Sequence, residues 1–354
     1  EVLEKAAAEM LNWRGMGVSV MEVSHRGKEF MEVAAKAKDD FRRLLHIPDH
    51  YEILFMQGGA IGENSIVPLN SMLPQGKANY LITGQWSARS AKEAARYGEV
   101  QIVADGADAQ GRYQSMPPRS HWKIDPNAAY LHLCVNETID GLAFNGLVDR
   151  GHESHQAPKD MPVVADLSST VLSEAIDVSE FGLLYGGAQK NIGPAGLTFV
   201  IIRKDLLGRA HPLCPSAFNY KIVAENDSMY NTPPTYSIYL AGLVFEWLIA
   251  KGGVDAIAKV NAQKAELLYD TIDKSDFYYN TIDPAYRSKM NVCFFLRDEN
   301  LNAQFLKESH EAGLVALKGH RVVGGMRASI YNAMPLEGVQ ALASFMKSFE
   351  QRHG

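Results

Sequence analysis

The sequence predicts an α/β protein built on a mostly parallel sheet covered by helices, and three observations carry that reading. Seven short apolar runs of strand length alternate with helical patterns between residues 50 and 205, and polar, often glycine-rich loops follow the ends of several runs. The chain has 354 residues, 46% hydrophobic and 21% charged, which is enough for a large domain carrying a smaller one. Disordered, collagenous and coiled-coil chains have other compositions.

Taken in order, the chain opens on an amphipathic pattern that includes Glu1, Glu4 and Lys5, so no signal peptide is expected. The apolar runs follow at 52–56, 79–83, 100–104, 129–134, 163–165, 183–185 and 198–202. Continuous apolar runs, rather than alternating ones, mark strands buried on both faces. After Gly84, Ser87, Ala88, Ala91, Ala94, Ala95 and Tyr97 interleave with Lys92, Glu93 and Arg96, which predicts a helix. The stretch 145–160 holds Asp149, Arg150, His152, Glu153, His155 and Lys159 and reads as a solvated loop. Its His-Glu-Ser-His spacing is set aside as a metal site, and no metal is expected.

A long helix is predicted from Ser237 towards Lys251. The run 236–250 is the most apolar in the chain, but Glu246 interrupts it and it falls short of the roughly 20 residues that span a bilayer. Beyond it the pattern becomes helix, strand, helix, strand, helix, with a strand at 291–296 and a terminal amphipathic helix at 337–352. The expected domains are 1–250 and 251–354.

Lys and Arg total 35 against 41 Asp and Glu, a net charge of −6, so nothing global draws nucleic acid or an anionic membrane. Anion binding must be local. Three cysteines, an odd number without CxxC spacing, point to a reducing compartment, and a cytoplasmic protein is expected.

The sharpest chemical feature is Gly186-Gly187-Ala188-Gln189-Lys190-Asn191-Ile192-Gly193-Pro194-Ala195-Gly196. Glycines on both sides of Lys190 let the backbone reverse sharply and fix where the amine points, as an amine nucleophile requires; an exposed hairpin lysine is the alternative. Asp166 ends the buried run 162–166, where a carboxylate needs a cation or hydrogen bonds. A pyridinium nitrogen is one such partner; helix capping by Asp166 or Ser168 is the other reading.

Further loops suit the same ring. Gln57-Gly58-Gly59-Ala60-Ile61-Gly62 follows a strand and opens a helix whose N–H groups can hold a phosphate. Trp86 can stack on an aromatic cofactor or fill a core, and Thr138 can bond a ring substituent or cap a turn. Asn231-Thr232-Pro233-Pro234-Thr235 is a rigid polar turn at a helix start. Two cationic patches, Ser24-His25-Arg26-Gly27-Lys28 and the run from Lys318 through His320 and Arg321 to Arg327, fit a doubly anionic substrate or are solvated surface charge.

The strings at 19–30, 136–141, 186–196, 231–235 and 318–335 together resemble the phosphoserine aminotransferase family, over nearly the whole chain and in that family's order. The resemblance implies a pyridoxal-phosphate enzyme of aminotransferase fold type I, class V: a seven-stranded sheet, a smaller C-terminal domain and a homodimer with active sites at its interface. It implies amino transfer between L-glutamate and 3-phosphohydroxypyruvate, giving phosphoserine and 2-oxoglutarate, with 4-phosphohydroxythreonine as a further candidate substrate. By matching motif, Lys190 is the Schiff-base lysine, Asp166 partners the pyridine nitrogen, Trp86 stacks on the ring and Thr138 meets its 3-hydroxyl. Gln189, Ala60 and Ile61 hold the cofactor phosphate, with Asn231 and Thr232 reaching it from the neighbouring subunit. Arg327 holds the substrate α-carboxylate, while His25, Arg26, His320 and Arg321 gather around its phosphate or glutamate's distal carboxylate.

Two departures stand out. The family's Ser/Ala-Gly-Pro opening has no counterpart before the first helix, so the N-terminal segment is expected to be incomplete. Ala60-Ile61-Gly62-Glu63-Asn64 stands where many bacterial members resemble Gly-Arg-Gly-Gln-Phe, which removes a cation from the pocket. Two other readings remain open at this point: another class V activity such as alanine–glyoxylate transfer, and a catalytically silent binding protein on the same fold. Cysteine desulfuration would want a mobile thiol, and Cys134, Cys214 and Cys293 lie in or beside apolar runs.

Overall fold

The computed structural model describes residues 1–145 and 157–354. Asp149, Arg150, His152, Glu153 and His155, from the predicted polar loop, lie outside the described residues. All seven predicted strands form. They are β1 (Tyr51–Met56), β2 (Lys77–Ile82), β3 (Glu99–Asp105), β4 (Leu131–Cys134), then after a short hairpin of β5 (Asn136–Glu137) and β6 (Leu142–Ala143), β7 (Val163–Asp166), β8 (Leu183–Gly187) and β9 (Thr198–Arg203). The seven join in one sheet of order β1-β9-β8-β7-β4-β2-β3. β9 alone runs against its neighbours β1 and β8; the other pairings are parallel.

Both faces of this sheet are buried except along the edge strand β3, and the buried strands read as unbroken apolar runs. A short helix α1 (Val2–Ala8) opens the chain. Ile53, Phe55, Phe199 and Ile201 face one core with α2 (Lys28–Leu44) and the helix Thr235–Ala250. Their chain neighbours Leu54, Met56, Val200 and Ile202 face the other, with α3 (Gly59–Ser71) and α4 (Gln85–Ala94). On α2, Phe30, Ala34, Ala37, Phe41 and Leu44 recur at helical spacing and are buried. Phe41 stacks on Phe245 at 5.0 Å between centroids and meets Phe199 edge-on at 5.4 Å, locking that helix pair to the sheet.

The C-terminal part has its own core, in which Phe305 contacts Tyr278, Phe294, Phe345 and Phe349. It contains the antiparallel sheet β10 (Tyr278–Tyr279), β11 (Asn291–Leu296) and β12 (Met326–Ser329), covered by helices Gly253–Asp273 and Leu336–His353. The helix Gly253–Asp273 spans the two parts: Val254 and Ile257 belong to the first core and Ala265, Leu268 and Ile272 to this one. Among the described residues no helix is long and apolar enough to cross a membrane.

The strands β10 and β12 and the hairpin β5–β6 have two to four residues each, too few to show a period. The hairpin matters here, because its turn carries Thr138. The ends of β1, β2, β4, β7 and β8 lead into Gly58, Gly84, Asn136, Asp166 and Ala188 respectively, so one edge of the sheet collects the loops singled out in the sequence.

Candidate active site

At that edge lies a cleft of about 410 Å³ lined by, among others, Trp86, Thr138, Asp166, Gln189 and Lys190, with Ala60 and Ile61 at its rim. Lys190 sits in the turn between β8 and β9. The turn closes through Ala188 N to Leu197 O (2.9 Å) and Gly193 N to Ala188 O (2.6 Å). Gly193 and Gly196 take φ of +116° and +88°, which other residues rarely adopt. Lys190 Nζ donates to Thr138 Oγ1 at 2.7 Å and lies 5.9 Å from the centre of the Trp86 ring. Burial pushes the Lys190 pKa down, while the nearby Asp166 charge pulls it back up. The turn thus holds an amine that loses its proton more readily than an ordinary lysine.

Asp166 is a buried carboxylate at the last position of β7. Its Oδ1 accepts from Ser168 N (2.8 Å) and Ser168 Oγ (2.5 Å), and Ser168 Oγ also accepts from Gly187 N (3.2 Å). Burial raises the Asp166 pKa, against the lowering effect of those bonds and of Lys190. Oδ2 has no hydrogen-bond partner among the described residues although Asp166 lines the cleft, so the oxygen is left for a cationic donor.

Trp86 occupies the first turn of α4. Its backbone N–H is held by Glu137 Oε2 at 2.8 Å. Ala60 and Ile61 stand in the first turn of α3 behind Gly58 and Gly59, both at positive φ, where helix geometry leaves N–H groups without intrahelical partners. Arg327 on β12 donates through Nη1 to Thr138 O at 3.3 Å. Thr138 therefore touches Lys190 with its side chain and this arginine with its backbone. The turn after β12 is fixed by Lys264, whose buried Nζ donates to Ile330 O, Tyr331 O and Met334 O at 2.9–3.0 Å.

The remaining sequence candidates are not among the residues lining the cleft in one chain. Asn231 and Thr232 are exposed, and Gln57 Nε2 donates to Thr232 O at 2.9 Å. Arg26 and Arg321 are exposed, His25 and His320 half-buried, and none of the four is in an ion pair among the described residues. His25 Nε2 is enclosed without a hydrogen-bond partner. Conversely, Cys134, Asn136 and Ser169 line the cleft without having been proposed for it, and Ser168, read only as a possible helix cap, lines it too. Ser168 had a visible signal, two residues past a buried strand-end aspartate; the others had none.

A pyridine ring with an aldehyde and a phosphate fits these residues: an indole face, a lysine, a carboxylate oxygen in need of a cation, a hydroxyl, and helix N–H groups at the rim. Comparison with known proteins agrees. The class-V aminotransferase family profile matches residues 1–342. The phosphoserine aminotransferase of Herminiimonas arsenicoxydans is 57% identical, with 100% of this chain and 96% of that protein covered. The structure of phosphoserine aminotransferase from Bacillus circulans subsp. alkalophilus superposes with a TM-score of 0.93 at 40% identity, covering 100% of this chain and 95% of the other. The pyridoxal-phosphate-bound phosphoserine aminotransferase from Trichomonas vaginalis gives 0.91 at 41% identity, covering 98% and 96%. The chain belongs to the class-V aminotransferases, among the phosphoserine aminotransferases.

Proposed function

We propose that the chain transfers an amino group between L-glutamate and 3-phosphohydroxypyruvate, with pyridoxal phosphate held in the cleft and the residues named above in the following roles. The observation that carries this reading is Lys190 Nζ within hydrogen-bond reach of Thr138 in the cleft that Asp166 and Trp86 also line. When bound, pyridoxal phosphate supplies an aldehyde carbon for the amino group and a protonated ring that withdraws electrons from the substrate Cα.

Asp166 Oδ2 would hold the proton on the ring nitrogen, with Oδ1 already anchored by Ser168. Trp86 would cover one face of the ring and exclude water there. Ala60 and Ile61 N–H groups and Gln189 hold the cofactor phosphate. Lys190 Nζ would act as the nucleophile towards the cofactor aldehyde and as the acceptor of the substrate Cα proton, and its lowered pKa suits both tasks. Arg327 binds the α-carboxylate close to Thr138.

Arg26 and Arg321, with their chain neighbours His25 and His320, recognise the substrate phosphate or the distal carboxylate of glutamate, some of them across a homodimer interface. Asn231 and Thr232 reach the cofactor phosphate of the partner in the same assembly. The parts 1–250 and 251–354 act as large and small domains, in the cytoplasm. A phosphate on a short stem also suits 4-phosphohydroxythreonine. The test is amino transfer from phosphoserine, 4-phosphohydroxythreonine and alanine to 2-oxoglutarate by purified protein. Equal rates with alanine and phosphoserine would defeat the substrate assignment.

A further inference from the structure

Glu137 is completely buried between β4 and the turn that carries Thr138, and the roles above do not use it. Its side-chain hydrogen bonds all come from groups that donate to it. Oε2 accepts from Trp86 N at 2.8 Å. Oε1 accepts from Ser87 N at 2.9 Å, Ser87 Oγ at 2.6 Å and Thr83 Oγ1 at 3.4 Å. One turn further on, Asp140 Oδ2 accepts from Gln85 N at 3.2 Å. The free N–H groups of Gln85, Trp86 and Ser87, which open α4, are thus satisfied by two carboxylates of a segment about fifty residues away. Helix starts are ordinarily capped by a neighbouring Ser, Thr, Asp or Asn.

Gly84 shows how close the approach is. A Cβ there would fall 2.4 Å from Glu137 Cγ and Cδ and 2.6 Å from Oε2, so only glycine admits the carboxylate. Burial pushes the Glu137 pKa up, and the bonds from Ser87 and Trp86 oppose that.

We propose that Glu137 is a positioning residue that sets the gap between the Trp86 indole and Thr138 with Lys190, and so the width of the slot that takes the cofactor ring. This rests on the reading of the cleft as a pyridoxal-phosphate site. The same residue spans both walls: its side chain bolts α4, and its own backbone is the neighbour of Thr138. Dispersion falls off steeply with separation, so a wall that backs away by about 0.5–1 Å forfeits roughly a quarter to a half of its attraction for the ring. Glu137→Gln keeps the shape but turns an N–H₂ towards N–H donors, releasing one bond of the clamp and part of the helix-end electrostatics.

The test is a double-mutant cycle on cofactor affinity, read by the visible absorbance of pyridoxal phosphate titrated into the apo-protein. Glu137→Gln is expected to raise the dissociation constant at least about tenfold when Trp86 is present, and less than about twofold in a Trp86→Ala background. Should E137Q not fold, Ser87→Ala, which removes one donor of the clamp, is carried through the same cycle with about a threefold loss expected with Trp86 and none without it. Equal factors in the two backgrounds, or no loss with Trp86 present, would overturn the role of Glu137 as a setter of the stacking wall. A wild-type chain that binds no pyridoxal phosphate would overturn this proposal together with the functional reading, and is told apart by that result alone.

Discussion

The two halves of the site are built on opposite terms. On the cofactor side, Lys190, Thr138, Asp166, Ser168, Trp86 and Glu137 are wired to one another inside a single chain, with Asp166 and Glu137 buried and their hydrogen bonds largely made. Of the cations proposed to read the substrate, Arg26 and Arg321 are exposed without an ion pair among the described residues, and Arg327 touches the wired half through Thr138 O. Groups that must act on the same atoms in every turnover are held by the fold. The groups proposed to exchange two different anions, a phosphate and a carboxylate, are left free to reach. The difference teaches that pre-organisation stops where the substrate varies.

The largest effect therefore belongs to the centre of the wired half. Lys190→Ala removes the proposed nucleophile and proton carrier and is expected to lower kcat by about 10⁴-fold or more, with the fold and melting temperature little changed. Steady-state transamination of phosphoserine measures it. If Lys190→Ala kept activity within tenfold, the division into a wired and a free half would collapse. Arg327→Ala comes next. It stands at the junction, so kcat/KM should fall by about 10²-fold for glutamate and phosphoserine alike, since both carry an α-carboxylate. A loss confined to the phosphorylated substrate would move Arg327 into the free half.

How much of this was legible in the sequence follows the same division. The seven strands were readable because strands buried on both faces are continuous apolar runs, and β1 even shows the alternation of its two cores in Ile53, Leu54, Phe55 and Met56. Lys190 and Asp166 were readable because a charge at the end of such a run, or between glycines, is conspicuous. Glu137 was not: it meets Trp86 from 51 residues away, and nothing in the string Asn136-Glu137-Thr138 tells an acid that caps a distant helix from one that faces water. The antiparallel course of β9 was equally silent, since direction leaves no trace in composition. For the cationic rim, motif likeness named the residues, but the fold of one chain does not bring them around the cleft.

The rim itself gives the third effect. Arg321→Ala is expected to lower kcat/KM by about tenfold for phosphoserine and by less than about twofold for glutamate, with the phosphoserine loss shrinking as salt rises. Assays at two ionic strengths check both statements. Equal losses for the two substrates would show that the rim reads the common carboxylates and not the phosphate.

The smallest effect sharpens the buried half. Glu63 stands where many family members resemble Gln, and it is fully enclosed, with Oε2 accepting from Tyr220 Oη at 2.6 Å and Oε1 without a partner. Burial raises its pKa from 4.5 to about 8, with the Asp166 charge adding to the rise, so in the folded chain it is a neutral acid of glutamine's shape across most of the working range. The unfolded chain releases this proton near 4.5 and the native chain only near 8, so the native state binds the extra proton between those values. Stability linked to Glu63 is complete below about 4.5 and declines as pH climbs to about 8. A glutamine at this position has no such proton to lose. Glu63→Gln should therefore melt within about 1 °C of the parent at pH 5 and a few degrees higher at pH 8.5, about 2–4 °C for each kcal/mol gained. Parallel melting curves at both values would mean that Glu63 keeps its charge inside the fold, and that the interior near Asp166 tolerates a second anion.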